Sequence, residues 1–487
     1  MDLVAFHPAY PVQLPMIEEG QRLNVVIEKL SLGGDGIARV DGLVLFVPYA
    51  TPGDTLEIEI TAQKKTFGRA KIINVIKGGP SRVVPPCPVY FNREMPSSRD
   101  NGVNPSMEDR HPLPCGGCNF QHLNDRAQLD AKVHALQETF EKIAGISPRM
   151  EPPLAMKEGE RWRHRNKMQV PFAYDAAGNV VAGFFAPGSH TVVPFTDCLI
   201  HSEQVSALVG FIVQKMNDKR LDPHERNHSG WLRHAVIRES SEGKMLLVFV
   251  TASKIFQKKQ EWVAELTAAF PNLVGILQNV NAKRTPVILG EKWYALYGQD
   301  YLTEHVAGIS LKISAGSFYP VNDKMAERLY LLIRDWAESG KVLLDLYCGA
   351  GGIGILCAPF FENVLGADNV PSSISDAHEN GHRNGAPQCK FFMKDARDFL
   401  KDLPLDAVRP SEITVILDPP RVGCSSEVLR RLTQMGPSKI IYVSCDPGTL
   451  ARDVKILIAS GYHIEKVCLV DLFPQSSHIE SVTLLTK

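Results

Sequence analysis

From about residue 326 the sequence alternates between short apolar runs of β character and helical or loop segments, and nothing else restricts the fold as tightly. The runs are KVLLDLY, NVLGAD, KFFMKD, ITVILD, KIIYVSC, KVCLVDL and ESVTLLT. Strands separated by helical segments predict a doubly wound α/β sheet. Five successive runs end on a polar group: Asp345, Asp368, Asp395, Asp418 and then Cys445-Asp446. Ligands of open α/β sheets bind outside the carboxyl ends of the strands, so these residues are expected to line one crevice. Each aspartate alone is equally well a helix or turn cap. Five in succession favour a site.

The segments upstream differ in kind. Residues 17–78 read as short alternating strands with GGDG and PGD turns, which predicts a small antiparallel, OB-like β-barrel. Residues 80–120 are rich in proline, serine and asparagine, and 88–114 read as a loop insertion. NDRAQLDAKVHALQETFEKIAG is a helix with Leu129, Val133, Leu136 and Phe140 on one face. Residues 161–305 are mostly strands, interrupted by helices near 203–217 and 256–269. The expected architecture is therefore a barrel over 1–79, a β-rich central domain over 80–310 and a Rossmann-like domain over 311–487.

Net charge is −1, from 53 Lys+Arg against 54 Asp+Glu, so any surface for a polyanion must be local. No run of 18 apolar residues and no secretory leader is present, so neither a membrane nor export is expected. Ten cysteines in 487 residues are too sparse for a disulfide scaffold. They predict a reducing cytoplasm with a metal site or a catalytic thiol.

In LDLYCGAGGIGI, Gly349, Gly351 and Gly354 satisfy the G-x-G-x-x-G spacing, which dinucleotide enzymes share. With Asp345 inside the strand and Tyr347 just after it, the turn resembles that of S-adenosylmethionine methyltransferases. That likeness implies cofactor contacts at Tyr347, Gly349 and Gly352, ribose recognition by Asp368, and Asp395 on the adenine side. LDPPR resembles the Pro-Pro motif of amino methyltransferases, with Arg421 in place of their stacking aromatic. The change argues against adenine N6 chemistry and leaves Asp418 to hydrogen-bond a base edge.

A ring carbon such as C5 of uracil is a poor nucleophile. A thiolate added at C6 makes C5 electron-rich, which suits Cys445 if its thiol ionises near a polar or cationic neighbour. The C5 proton must then leave, and Glu480 in SSHIESVTLL is the candidate base. In the common methyltransferase sheet the last strand is antiparallel and inserted beside strand five, which brings Glu480 to Cys445. The alternative for Glu480 is a solvated charge at a strand end, and His478 reads as a local hydrogen-bond partner.

SCDPGTLARD, LLDLYCGAGGIG, ILDPPR and FPQSSHIESV, with an N-terminal stretch VIEKLSLGGDGIARVDGLVLFVPYATPGDTLEIEI similar to the RNA-binding TRAM domain, resemble the RNA uracil-C5 methyltransferase family. Its bacterial 23S ribosomal RNA (uracil-5-)-methyltransferases are the nearest group. The resemblance implies Cys445 as nucleophile, Glu480 as proton acceptor, and S-adenosylmethionine held by Tyr347, Asp368 and Asp418. Two positions depart from the family pattern: Pro320 stands where Gln is usual, and Gly352 where Asn is frequent. A transfer RNA uridine methyltransferase, or an RNA-binding iron–sulfur protein without activity, are the competing readings.

Cys115-Gly-Gly-Cys118, with Cys87 before it and Cys198 after it, supplies four thiols for zinc or an iron–sulfur cluster, and spacing does not choose between them. The resemblance implies a 4Fe-4S cluster. Cys348, Cys357, Cys389, Cys424 and Cys468 read as packing residues. Arg161, Arg163, Arg165 and Lys167 in RWRHRNKMQV alternate, so on a strand they share one face suited to RNA phosphates. The alternative is an ordinary solvated face. The expected partner is ribosomal RNA, bound by a monomer.

Overall fold

Strict alternation in TLEIEI and LVLFV puts Leu56, Ile58, Ile60, Leu43, Leu45 and Val47 on one buried face, the period-2 pattern of strands around a small core. The structure is a computed structural model that describes residues 17–91, 113–157, 159–224, 230–283, 285–403 and 408–487. Most of the 88–114 insertion lies outside these residues. The chain divides into two compact units, residues 1–110 with 118–128 and residues 111–117 with 129–487.

The first unit holds β1 (Arg22–Val26), β2 (Lys29–Leu30), β3 (Gly36–Val40), β4 (Leu43–Val47), β5 (Thr55–Gln63) and β6 (Phe67–Lys77). Their order is β1-β5-β6-β4-β3-β2. Every pair is antiparallel except β4 with β6, which run parallel over three residues. Gly68 makes that pairing possible, because a Cβ there would sit 2.7 Å from Leu45 Cδ2. Asp54 closes the unit: its carboxylate accepts from Thr51 N, Gly79 N and Arg82 Nε at 2.6, 2.8 and 2.9 Å.

In the second unit, α1 (Asp125–Thr139) contributes its residues from Leu129 onward. Of the predicted apolar face, Leu136 and Phe140 are fully buried and Leu129 and Val133 pack beside them. A seven-stranded sheet follows, in the order β13-β12-β11-β10-β7-β8-β9. It comprises β7 (Lys167–Tyr174), β8 (Val180–Phe185), β9 (Val192–Pro194), β10 (Leu232–Glu239), β11 (Met245–Thr251), β12 (Leu273–Val280) and β13 (Lys292–Gly298). The interrupting helices are α2 (Glu203–Lys219) and α3 (Lys259–Ala269). Ser202 starts α2 by accepting from Val205 N, as an N-cap serine does. The hairpin β14 (Tyr301–Val306) and β15 (Ile309–Ser314) leads to α4 (Asp323–Ala337).

The last sheet contains β16 (Gly340–Leu346), β17 (Phe361–Asp368), β18 (Cys389–Met393), β19 (Ile413–Leu417), β20 (Lys439–Ser444), β21 (His463–Val470) and β22 (Glu480–Thr486). Its order is β18-β17-β16-β19-β20-β22-β21, parallel throughout except for β22, which is antiparallel to both neighbours. Between these strands lie α5 (Gly352–Cys357), α6 (Pro371–Arg383), α7 (Ala396–Asp402), α8 (Ser426–Met435) and α9 (Pro447–Ala459). One face packs Ile333, Ile353 and Ala377 against Leu343, Ile416 and Val482. The other packs Phe399, Leu432 and Leu450 against Leu344, Val415 and Leu485. Burial on both faces explains why β19 reads ITVIL without alternation. Along the outer edge of β21, residues 149–154 add a parallel ladder, with Glu151 N donating to Val467 O (2.7 Å) and Leu154 N to Leu469 O (2.9 Å). Among the described residues no helix is long and apolar enough to cross a membrane.

Candidate active site

The strand order reverses between β16 and β19, and the polar strand ends gather at this switch point. The turn after β16 has a left-handed backbone at Tyr347 (φ 65°), Gly349 (φ 53°) and Gly351 (φ 80°). For a bulky residue such as Tyr347 that conformation is strained. Asp368 braces the turn, accepting from Gly349 N (3.0 Å) and Val370 N (2.8 Å). Asp345 Oδ2 accepts from Gly354 N (3.0 Å), while its Oδ1 is buried without a hydrogen bond. Burial raises its pKa to about 7, with Asp418 and Asp368 adding to the effect. Nothing lies within 4 Å of where a Cβ of Gly349 would be. An orphaned carboxylate oxygen behind an open glycine turn fits a ligand with a cationic amino-acid end, so the residues fit S-adenosylmethionine.

Gly352 opens α5, and a Cβ there would lie 2.9 Å from Tyr330 and 3.1 Å from Leu311. The packing of α4 and β15 therefore excludes the Asn that is frequent at this place. Asp395 is exposed and caps α7 by accepting from Arg397 N at 2.9 Å. At Pro320 the backbone oxygen accepts from Asn166 Nδ2 (2.9 Å). Its neighbour Tyr319 is buried, and Phe318 is 68% exposed.

Cys445 stands between the end of β20 and α9, half-buried. Asp446 caps α9 by accepting from Thr449 N (2.9 Å), so the thiol sits at the positive end of that helix. The antiparallel ladder between β20 and β22 ends with Ser444 paired to Ser481, so Cys445 and Glu480 are the next residues beyond it on the two strands, and the Glu480 charge reaches the thiol. Burial pushes the Cys445 thiol up to about 11; Glu480 adds to this, Arg421 opposes it, and Asp418 adds a further increment. Burial, and then Asp418, hold Glu480 well above the usual carboxylate range, with Arg421 opposing. Asp418 itself is raised to about 7 by burial and by Asp368. Arg421 Nη2 lies 3.4 Å from His478 Nδ1. The thiol, the carboxyl groups of Glu480 and Asp418, and the Arg421 guanidinium are thus near enough for their charges to act on one another.

The sequence did not reveal Arg421 as the cation of this group, because only its difference from an aromatic stood out. It also did not reveal Lys132, whose Nζ reaches Asp471 Oδ1 (2.6 Å) and Phe473 O (2.9 Å) beneath the loop leading to Glu480. No local pattern signals an ion pair across 339 residues.

The expected basic row is corrected. Residues 161–166 are not a strand, β7 starts only at Lys167, and the left-handed backbone of Arg163 (φ 53°) breaks the alternation. Arg161 is 2% exposed and ion-paired with Asp471 at 2.9 Å. Arg163 makes two 2.6 Å bonds to Asp197. Arg165 and Lys167 are half-buried, and burial lowers the Lys167 pKa to about 7. The four cations do not form one phosphate-facing row.

Of the expected cluster ligands, Cys87 and Cys118 belong to the first unit and Cys115 and Cys198 to the second. Cys115 Sγ accepts from Gly117 N (3.4 Å), and His201 Nδ1 is 3.2 Å from Cys198 Sγ. Among the described residues no group of three or more His, Cys, Asp or Glu stands together to hold a metal ion.

The chain is similar to known proteins over nearly its whole length. The family model described as tRNA (Uracil-5-)-methyltransferase matches residues 124–487, and the TRAM domain model matches 17–73. An RNA methyltransferase of Halalkalibacterium halodurans is 34% identical over 474 residues, covering 96% of this chain and 98% of its own. One from Listeria innocua is 33% identical over 479 residues, covering 98% and 100%. The Pyrococcus abyssi tRNA (uracil-54, C5)-methyltransferase in complex with S-adenosyl-L-homocysteine superposes with a TM-score of 0.71, at 24% identity, over 95% of this chain and 100% of that one.

Proposed function

The chain belongs to the tRNA (uracil-5-)-methyltransferase family, and from that premise we propose that it methylates C5 of a uridine in 23S ribosomal RNA through a covalent bond between Cys445 and C6 of the base. It is an S-adenosylmethionine-dependent RNA methyltransferase. The observation that supports the covalent reading is that Cys445 and Glu480 directly flank the last paired residues of β20 and β22, Ser444 and Ser481, with the Glu480 charge acting on the thiol.

Cys445 Sγ adds to C6 as the thiolate, leaving C5 electron-rich. When bound, S-adenosylmethionine would supply the methyl group that C5 takes up, its S–CH3 bond breaking to leave the neutral thioether S-adenosylhomocysteine. Glu480 then removes the C5 proton, the C5–C6 double bond re-forms, and Cys445 leaves as the thiolate. Arg421 favours both anions, and Asp418 is placed to accept from the base edge. Tyr347, Gly349 and Asp368 hold the cofactor turn. The uridine must leave its stack to reach the thiol, which costs least in single-stranded or loop RNA.

The ribosomal substrate is supported by the sequence motifs. The transfer RNA reading is favoured by the family description and by the substrate that the Pyrococcus abyssi enzyme is named for. Mapping 5-methyluridine in both RNAs from cells lacking the protein separates the two. RNA carrying 5-fluorouridine tests the mechanism, because fluorine leaves Glu480 no proton to remove. A stable adduct with the wild type, absent in Cys445→Ala, is expected; no adduct with the wild type overturns the covalent reading. For Cys87, Cys115, Cys118 and Cys198, a 4Fe-4S cluster remains a proposal supported by the sequence pattern alone, tested by iron and sulfide content after anaerobic purification. Action as a monomer in the cytoplasm is proposed on the same footing.

A further inference from the structure

The tail of the SCDPGTLARD motif, Arg452-Asp453, takes no part in the chemistry above, yet Asp453 is 0% exposed. Its Oδ2 accepts from Cys424 N (2.8 Å) and from the Tyr442 hydroxyl (2.7 Å), and Oδ1 accepts from Arg452 Nε (2.8 Å). Arg452 Nη2 donates to Val422 O (3.0 Å), and Thr449 Oγ1 donates to Arg421 O (3.1 Å). Three residues of α9 therefore grip the backbone of 421–424. Gly423 completes the fit: its φ is 76°, and a Cβ there would lie 2.6 Å from Arg452 Nη2 and 2.7 Å from Asp453 Oδ2.

The gripped loop carries Arg421, the cation that faces Cys445 and Glu480, and the gripping helix begins directly after Cys445. The backbone that bears the thiol and the backbone that bears the guanidinium are thus tied together through a single helix. We propose that Asp453 is a positioning residue: with Arg452 and Thr449 it locks the 421–424 loop so that Arg421 stays beside the thiol of Cys445. The proposal rests on the reading of Cys445 as nucleophile. The other charged groups facing that thiol are Glu480 from β22 and Asp418 at the end of β19, with Asp446 as its chain neighbour.

The test is the pH dependence of Cys445 alkylation by iodoacetamide, resolved by peptide mass spectrometry on the full-length protein. Arg421→Gln is expected to raise the midpoint by about one pH unit, a roughly tenfold lower rate at fixed pH. Asp453→Asn should raise it by about half a unit, roughly threefold. In the double variant, Asp453→Asn should add nothing to Arg421→Gln, because its effect passes through that guanidinium. An unchanged midpoint in Asp453→Asn, or a shift that persists undiminished on the Arg421→Gln background, overturns the proposal. If Asp453→Asn does not fold, Thr449→Val is read in its place with the same two outcomes. Alkylation needs no RNA, so it judges the lock separately: a wild type that forms no adduct with 5-fluorouridine RNA removes the nucleophile reading and not the lock.

Discussion

Asp471 and Asp345 are both 1% exposed and both belong to strands of the last sheet or their immediate ends. Asp471 receives Lys132 at 2.6 Å and Arg161 at 2.9 Å, and stitches α1 and the 161–166 segment to the loop before β22. Asp345 receives one backbone N–H, and burial, with Asp418 and Asp368 adding to it, raises its pKa to about 7. The same residue type at the same burial is a tie in one place and an electrostatic load in the other. A buried acid without a cation is costly. Its presence marks where selection has favoured binding and chemistry over stability.

The sharpest way to break this contrast is at Glu480, a second buried acid whose pKa burial and Asp418 raise, with Arg421 opposing. Glu480→Gln should lower methyl transfer by roughly 10²–10⁴-fold, the range of a positioned general base. Its melting temperature should fall less than the wild type's as pH rises, because burial, which holds the Glu480 carboxyl above the usual range, makes its ionisation costly. Transfer of labelled methyl groups and a thermal melt on one preparation decide; a destabilised Gln variant means that Glu480 has an unseen partner. At the paired acid the signs reverse. Lys132→Met leaves Asp471 with less compensation and should cost about 3–5 kcal/mol in urea unfolding, and a loss under about 1 kcal/mol would count against the tie.

Asp345→Asn sharpens the contrast through pH. The folded-state pKa of Asp345, about 7, lies above an unfolded value of roughly 3.9, so the folded protein keeps the proton longer. The resulting stability is fully present below about pH 4 and is lost as pH rises through about 7. The Asn variant should therefore be more stable than the wild type at pH 8, by roughly 1–3 kcal/mol, with the gap closing towards pH 4. Parallel pH–stability curves for the two proteins would refute this account. The smallest effect is expected at Asp395→Ala, where a lost helix cap costs about 0.5–2 kcal/mol. Any accompanying rise in KM for S-adenosylmethionine separates a cofactor contact from a cap.

The neighbourhood of Cys445 and Glu480 was legible because the insertion of the last strand carries its own geometry: the start of β22 lies beside the end of β20, just before the thiol. The chain-wide alternation read out the sheet in the same way. Arg161 to Lys167 misled because one left-handed residue at Arg163 cancels a period of two, and nothing in RWRHRN announces it. The grip of Asp453 on Cys424, and the bond between Lys132 and Asp471, are tertiary contacts that leave no periodic trace. Gly352 was legible as part of a turn. The ring of Tyr330, which forbids any side chain there, was not.

The ladder that residues 149–154 add to β21 also governs how this molecule tolerates being cut. A fragment starting at residue 311 would keep all seven strands of the last sheet and the full set of crevice side chains, yet would bare the backbone groups of Val467, Leu469 and Asp471 that this ladder now occupies. An open strand of that kind recruits whatever extended chain it meets. Solubility of the severed half should therefore depend on keeping the 149–154 strip, however dispensable that strip looks from the crevice.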